Sequence, residues 1–225
     1  MAITRENIFE LLGRNSKRYH SCVATTFTFD FSFFEHRAVP ALKAAGIRNI
    51  LVLLDDGMLA QAMEDSMGLE FTRNANYSFF PMASTGVFHP KMIFCTGKKE
   101  CFLAVGSGNL TSAGHGGNDE LWSVFHYEKS SEKSTSYIIK QAWDYVQSLS
   151  NRTRERATEK IAWISQYSPW LNDLPESDYS LIPIGKEEIS LKPVQKGISL
   201  LKQIIKEVPS VYSGNSLPAN PEKSL

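Results

Sequence analysis

The sequence predicts an α/β fold, a mixed and largely parallel sheet flanked by helices, and three observations carry that prediction. Residues 21–54 read strand, helix, strand; three further strand-like runs lie between Phe88 and Tyr127; and two stretches of helical apolar spacing follow them. At 225 residues, 42% of them hydrophobic and 11% aromatic, the chain has enough apolar material for a sizeable core.

Taken in order, Ile8, Leu11 and Leu12 share one face of a short helix, with Thr4 as its expected cap and Gly13 as its terminator. Ser21 to Phe29 is dense in β-branched and aromatic residues and sets Val23, Thr25, Phe27 and Phe29 against Cys22, Ala24, Thr26 and Thr28, which predicts a strand. Ser32 and Glu35 have capping-box spacing, and Phe34, Ala38, Ala41 and Ala45 continue at helical intervals, with Pro40 as an expected kink. Gly46 suits a left-handed cap, and Asn49 to Leu54 is a continuous apolar run of the kind a parallel strand buried on both faces requires. Together these segments form a βαβ unit with its right-handed crossover.

Beyond Asp55-Asp56-Gly57, a helix is predicted over Met58 to Met67 and a short strand over Tyr77 to Met82. Strands are then expected at Phe88 to Cys95, Cys101 to Val105 and Glu120 to Tyr127, with Gly97-Lys98-Lys99 as the hairpin turn between the first two. Ile138, Ala142, Tyr145 and Leu149 mark one helix; Ala157, Ile161 and Ile164 mark another. Residues 166–197 break into prolines, acids and short apolar pieces, which reads as a linker or crossover, and residues 198–225 read as a helix and tail.

Charge and composition narrow the function classes. The 24 basic and 24 acidic residues cancel, so no global field draws this chain toward nucleic acid or anionic membranes, and any polyanion contact must be local. Lys98, Lys99, Arg152, Arg154, Arg156 and Lys160 read as solvated surface, or as such a local patch. Cys22, Cys95 and Cys101 lie in apolar runs without zinc-like spacing and read as buried thiols of a reducing compartment. The N-terminal residues carry charges throughout, and no stretch reaches the roughly 18 apolar residues that span a bilayer. The expectation is a cytoplasmic chain without a membrane partner.

Chemistry concentrates between Phe88 and Trp122, in FHPKMIFCTGKKECFLAVGSGNLTSAGHGGNDELW. On a strand His89 and Lys91 point the same way, and Pro90 restricts the position to a strand start or edge. Ser107 and Asn109 follow a strand end, flanked by Gly106 and Gly108, which permit close backbone approach. Such donors suit a phosphate oxygen, and Ser107, Gly108 and Thr111 are the expected substrate contacts; His115 reads as a loop residue or, from its place beside the site, as a further substrate contact. Glu120 opens the next strand, where a carboxylate could hold one nitrogen of His89 and leave the other free to attack. Lys91 and Asn109 would themselves stabilise charge on phosphoryl oxygens, so the site calls for no metal and no cofactor. As a bland alternative, GSGNLTSAGHGG is an ordinary Gly-rich loop or a nucleotide loop, although it lacks the Gly-Lys-Ser/Thr ending of a P-loop. Ser107 does not meet the GxSxG pattern of a hydrolase nucleophile, and His126 shares a strand face with Glu120, Trp122 and Val124 as a core or partly buried histidine.

HPK followed by GSGN resembles the HxK and GSxN halves of the phospholipase D superfamily signature. The aspartate that many members carry a few residues after the lysine is absent, since Thr96 and its neighbours occupy that region. The spacing of His89, Lys91, Asn109 and Glu120 is instead similar to the tyrosyl-DNA phosphodiesterase branch and the metal-independent restriction nucleases. TFTFDFSFFEHRAVPALKAAGIRNILVLLDD also resembles the first βαβ unit of that branch, so the resemblance covers residues 1–165.

The resemblance implies a phosphodiesterase, a metal-independent nuclease acting on DNA through a phosphohistidine at His89. Lys91 and Asn109 would hold the phosphate, Ser107 would assist, and Glu120 would orient His89. It also implies two motifs facing one another across a pseudo-twofold axis, one histidine attacking and the other protonating the leaving group. His20, His36, His115 and His126 have no lysine two residues on, so the chain carries a single motif. The expectation is therefore a homodimer, or a chain whose second repeat begins near residue 198 and is truncated. A restriction or defence role is implied by the branch alone. The competing expectations are a non-catalytic half-site that binds nucleic acid or a protein partner, and a phospholipid phosphodiesterase.

Overall fold

A six-stranded mixed sheet, in the order β3-β2-β1-β4-β5-β6, organises the chain. The computed structural model describes residues 6–14, 18–66, 76–82, 86–131, 133–153 and 155–176. The first helix, α1 (Ile8–Gly13), is capped by Asn7, whose side chain accepts from the Phe9 N–H, while the expected cap Thr4 lies outside the described residues. β1 (Ser21–Thr26) is buried at all six positions, because both faces of the sheet are covered.

The crossover helix is built in three pieces: α2 (Phe31–Phe33), a π-helical segment Phe34–Ala38, and α3 (Val39–Ala44). Its cap is Asp30, which accepts from the Phe33 N–H, and not Ser32 of the expected capping box; one carboxylate already at N-cap leaves the box without a role. The wide turn stands where a kink at Pro40 was expected. Proline lacks the N–H for the carbonyl four residues back and its ring collides with it, and a π turn removes that collision. Gly46, at φ 96°, ends the helix as expected, with Ile47 N donating to Leu42 O and Gly46 N to Lys43 O in the Schellman pattern.

The chain continues through β2 (Asn49–Asp55), α4 (Asp56–Asp65), β3 (Ser78–Met82), β4 (Met92–Thr96), β5 (Cys101–Gly106), β6 (Trp122–Tyr127), α5 (Lys133–Ser150) and α6 (Glu155–Tyr167). β1, β2 and β3 are parallel, whereas β4 pairs antiparallel with β1 and is followed by antiparallel β5 and β6. The parallel share is thus smaller than the sequence suggested: hairpin connections after β4 admit only antiparallel neighbours.

Cys22, Ala24, Ile93, Cys95, Phe102 and Ala104 face one layer, packed with Leu12, Phe34 and Leu42. Val23, Leu51, Phe94 and Leu103 face the other, packed with Trp143 and Ile161. The packed body continues past residue 165. Ser168 donates to Gly97 O at 2.9 Å, Trp143 Nε1 donates to Asn172 Oδ1 at 2.8 Å, and Leu171 and Leu174 are buried. The remainder of the expected linker, and the helix and tail at 198–225, lie outside the described residues. Among the described residues no helix is long and apolar enough to cross a membrane.

Candidate active site

The topology already singles out one place on the sheet. From β1 the chain moves to β2 and β3 on one side and then returns to β4 on the other, so strand order reverses between β1 and β4. At such a reversal the loops that leave β1 and lead into β4 meet at the carboxyl ends of the parallel strands, the end of an α/β sheet where ligands usually bind. The start of β4, the end of β5 and the start of β6 reach the same end of the sheet.

His89 and Lys91 precede β4 instead of lying within it. Pro90 has no N–H to give a ladder, and the Phe88 N–H donates at 2.8 Å to Asp55 Oδ2, not to a strand. The other oxygen of Asp55 accepts from Gly57 N and Met58 N at the start of α4, so one carboxylate caps a helix and pins the segment that carries the pair. Phe88 is buried beside Asp55, while His89 is exposed.

Lys91 is only 7% exposed, and its Nζ lies 2.8 Å from His89 Nδ1, 3.1 Å from Nε2 and 3.1 Å from the His89 carbonyl oxygen. An ammonium has no acceptor, so the ring nitrogen it meets must accept. Burial pushes the Lys91 pKa down, and the Glu120 carboxylate opposes that shift. The Phe27 ring covers His89 with centroids 4.6 Å apart at 45°.

Asn109 is held by one end. Its Oδ1 accepts from the backbone N–H groups of Phe27 and Thr28, each at 3.2 Å, which is why β1 stops at Thr26 and does not run on to Phe29. The Thr26 hydroxyl stands 3.4 Å from the same oxygen, but its single proton goes to Thr28 O at 2.6 Å, and it accepts from Leu110 N at 3.0 Å. Among the described residues the Asn109 Nδ2 amide has no protein acceptor, and it remains available as a donor.

The loop that carries Asn109 folds tightly on itself. A Cβ on Gly108 would stand 2.5 Å from Gly114 O, and one on Gly114 would stand 2.3 Å from Asn109 O, so neither position accepts a side chain without a backbone shift. The Thr111 hydroxyl accepts from Gly114 N at 3.0 Å and holds the loop, which gives this expected substrate contact a local structural task.

His115 likewise turns inward. Its ring stacks between Phe33 and Trp122, at 5.3 Å from each, with Phe9 at 4.9 Å, and its buried Nε2 has no hydrogen-bond partner among the described residues. Burial pushes its pKa down to about 4 against the pull of Glu120, so this histidine is neutral near pH 7. Among the described residues its contacts are those of a packing element.

Glu120 does not hydrogen-bond His89. Its oxygens accept from the Ser107 hydroxyl and, at 3.4 Å, from Asn118 Nδ2, while Ser107 Oγ accepts from Leu121 N at 3.1 Å. With its proton on Glu120, the Ser107 hydroxyl closes the mouth of the loop, and β6 begins only at Trp122. The structure therefore brings His89 and Lys91 into contact and fixes Asn109 through Phe27, while Ser107 and Glu120 form a separate pair.

Sequence reasoning missed Asp55, Thr26, Phe27 and Trp122. Asp55 had a readable signal, an acidic residue directly before Asp56-Gly57 at a strand end; the other three act through contacts remote in sequence. The three cysteines are buried and unpaired. His126 is exposed on β6, with its ring edge against the buried Phe102. Among the described residues no three His, Cys, Asp or Glu side chains gather as a metal-holding group.

No family model and no curated protein matches this chain. Among solved structures it is similar to Nuc from Salmonella typhimurium, a phospholipase D family member, at TM-score 0.46 and 18% identity over 64% of this chain and 88% of that one. It is also similar to NucT from Helicobacter pylori, at TM-score 0.43 and 18% identity over 64% of this chain and 87% of that one.

Proposed function

We propose that this chain is a phospholipase D-like phosphodiesterase, a nuclease acting on DNA, that works through a phosphohistidine at His89. One observation carries the reading: an imidazole in contact with a buried lysine stands at the sheet end where Asn109, tied down by its oxygen, keeps its amide donor unspent. A ring nitrogen of His89 forms the N–P bond as the P–O bond to the leaving oxygen breaks. Lys91 and the Asn109 amide stabilise the charge on the non-bridging oxygens. The leaving oxygen takes its proton from the His89 of a second copy, and water then gives a proton back to that histidine and forms a P–O bond as the N–P bond breaks.

Pairing of two copies is part of the proposal, because the chain holds one HxK motif. The same fact favours a second reading, a half-site that binds nucleic acid without turnover. Cleavage of plasmid and single-stranded DNA in excess EDTA, with solution mass measured on the same sample, separates the two. The proposal expects a dimer that cleaves, and loss of cleavage in His89→Ala. Strict dependence on added magnesium, or full activity of His89→Ala, overturns it; a monomer that binds DNA and leaves it intact supports the half-site. Phosphatidyl substrate in vesicles, run alongside, tests the lipid alternative.

A further inference from the structure

We infer that Phe27 is the positioning residue for His89, taking the place that the sequence assigns to a carboxylate. The inference rests on the proposed role of His89 as nucleophile and goes beyond it by naming what holds the ring. An exposed histidine side chain has two rotatable bonds, and attack needs one of its nitrogens aimed at phosphorus. Glu120, the expected orienter, hydrogen-bonds Ser107 and Asn118, and among the described residues the imidazole has its polar contact with Lys91 and its ring contact with Phe27.

Phe27 meets His89 face to tilted face at 4.6 Å and lies 5.9 Å from Lys91 Nζ, within the range of a cation over an aromatic ring. Its own backbone N–H donates to Asn109 Oδ1 at 3.2 Å. One residue thus touches the imidazole, faces the ammonium and is pinned by the phosphate-side amide. The loop after β1 sets His89 and Asn109 in register through Phe27. A flat ring restricts rotation of the imidazole about its second bond, and a flexible aliphatic side chain of similar size does not.

The test compares Phe27→Leu, Phe27→Tyr and His89→Ala with the parent protein in DNA cleavage under EDTA. Phe27→Leu is expected to lower kcat by about tenfold or more, the scale of a misplaced reacting group, while KM changes less than about threefold. Phe27→Tyr, which keeps the flat ring, restores kcat. Parent-like kcat in Phe27→Leu, or a rise in KM at constant kcat, overturns the inference, the latter by marking Phe27 as a substrate contact. If His89→Ala remains active, the underlying reading fails independently of Phe27. A readout that needs no turnover is the relaxation of the His89 ring C–H groups by NMR. The inference expects fast ring motion to appear in Phe27→Leu and to be absent in Phe27→Tyr; equal rigidity in all three proteins overturns it.

Discussion

Asn109 has two ends with separable tasks, and a pair of substitutions pulls them apart. Its Oδ1 takes two backbone N–H groups at 3.2 Å, from Phe27 and Thr28, and its Nδ2 is the donor proposed for phosphate. Asn109→Ala removes both bonds, at about 1 kcal/mol net each and somewhat more if the stranded donors stay dry, so the loss is about 2–3 kcal/mol. For a domain of this size each kcal/mol moves the melting point by roughly 2–4 °C, which gives a fall of about 4–12 °C. Asn109→Asp keeps an oxygen acceptor at Oδ1 and replaces the donor by a second oxygen bearing negative charge. Its stability is expected to stay near that of the parent while kcat falls by about 10²–10³, the cost of one preorganised donor at an oxyanion. Thermal melts and single-turnover DNA cleavage on the three proteins supply the data. An active Asn109→Asp, or an Asn109→Ala that melts with the parent, refutes the two-ended role.

Two further outcomes follow from the loop. The folded pKa of His115, about 4, lies below its ordinary 6.5, so its contribution is complete above pH 6.5 and is lost as pH falls through 4; the whole contribution is about 3 kcal/mol. Denaturant melts between pH 7 and 4.5, a window that stops short of the folded pKa, should lose less stability in His115→Phe than in the parent by about 2 kcal/mol, and parallel pH profiles would count against the stacked neutral ring. Gly114→Ala places a Cβ 2.3 Å from Asn109 O and should lower both melting point and cleavage. Gly116→Ala, whose nearest atom is Ser112 O at 3.8 Å, should change neither, and equal behaviour of the two variants would contradict the tight loop.

Much of the fold was legible because it is written in local periodicity: the buried run Asn49–Asp55, the Gly46 cap and the hairpin at Gly97 all stand where their patterns put them. Strand ends were not legible, for a common reason. β1, β4 and β6 each stop short because side chains remote in sequence, Asn109, Asp55 and Ser107, take up backbone N–H groups that a ladder would otherwise use. The same non-locality governs the site. His89 and Lys91 are two residues apart and meet as expected, although the pair lies before β4 and not on a strand, so alternation is not what joins them. A strand start places Glu120 near His89, yet Ser107, which returns to it across the loop, is the partner it holds. His115 was read as a substrate contact from its place in the Gly-rich loop, and the aromatic slot of Phe9, Phe33 and Trp122 that draws it inward involves residues up to 106 positions away in the chain, as between His115 and Phe9.

The measurement that bears most directly on the central claim is capture of the covalent intermediate. A labelled DNA oligonucleotide is incubated with the protein in EDTA, the reaction is quenched in alkali, and the labelled peptide is identified by mass spectrometry. The account predicts an acid-labile phosphoramidate on His89 that disappears in His89→Ala. Turnover without any protein-bound phosphate, or an adduct on another residue that persists in His89→Ala, would contradict it.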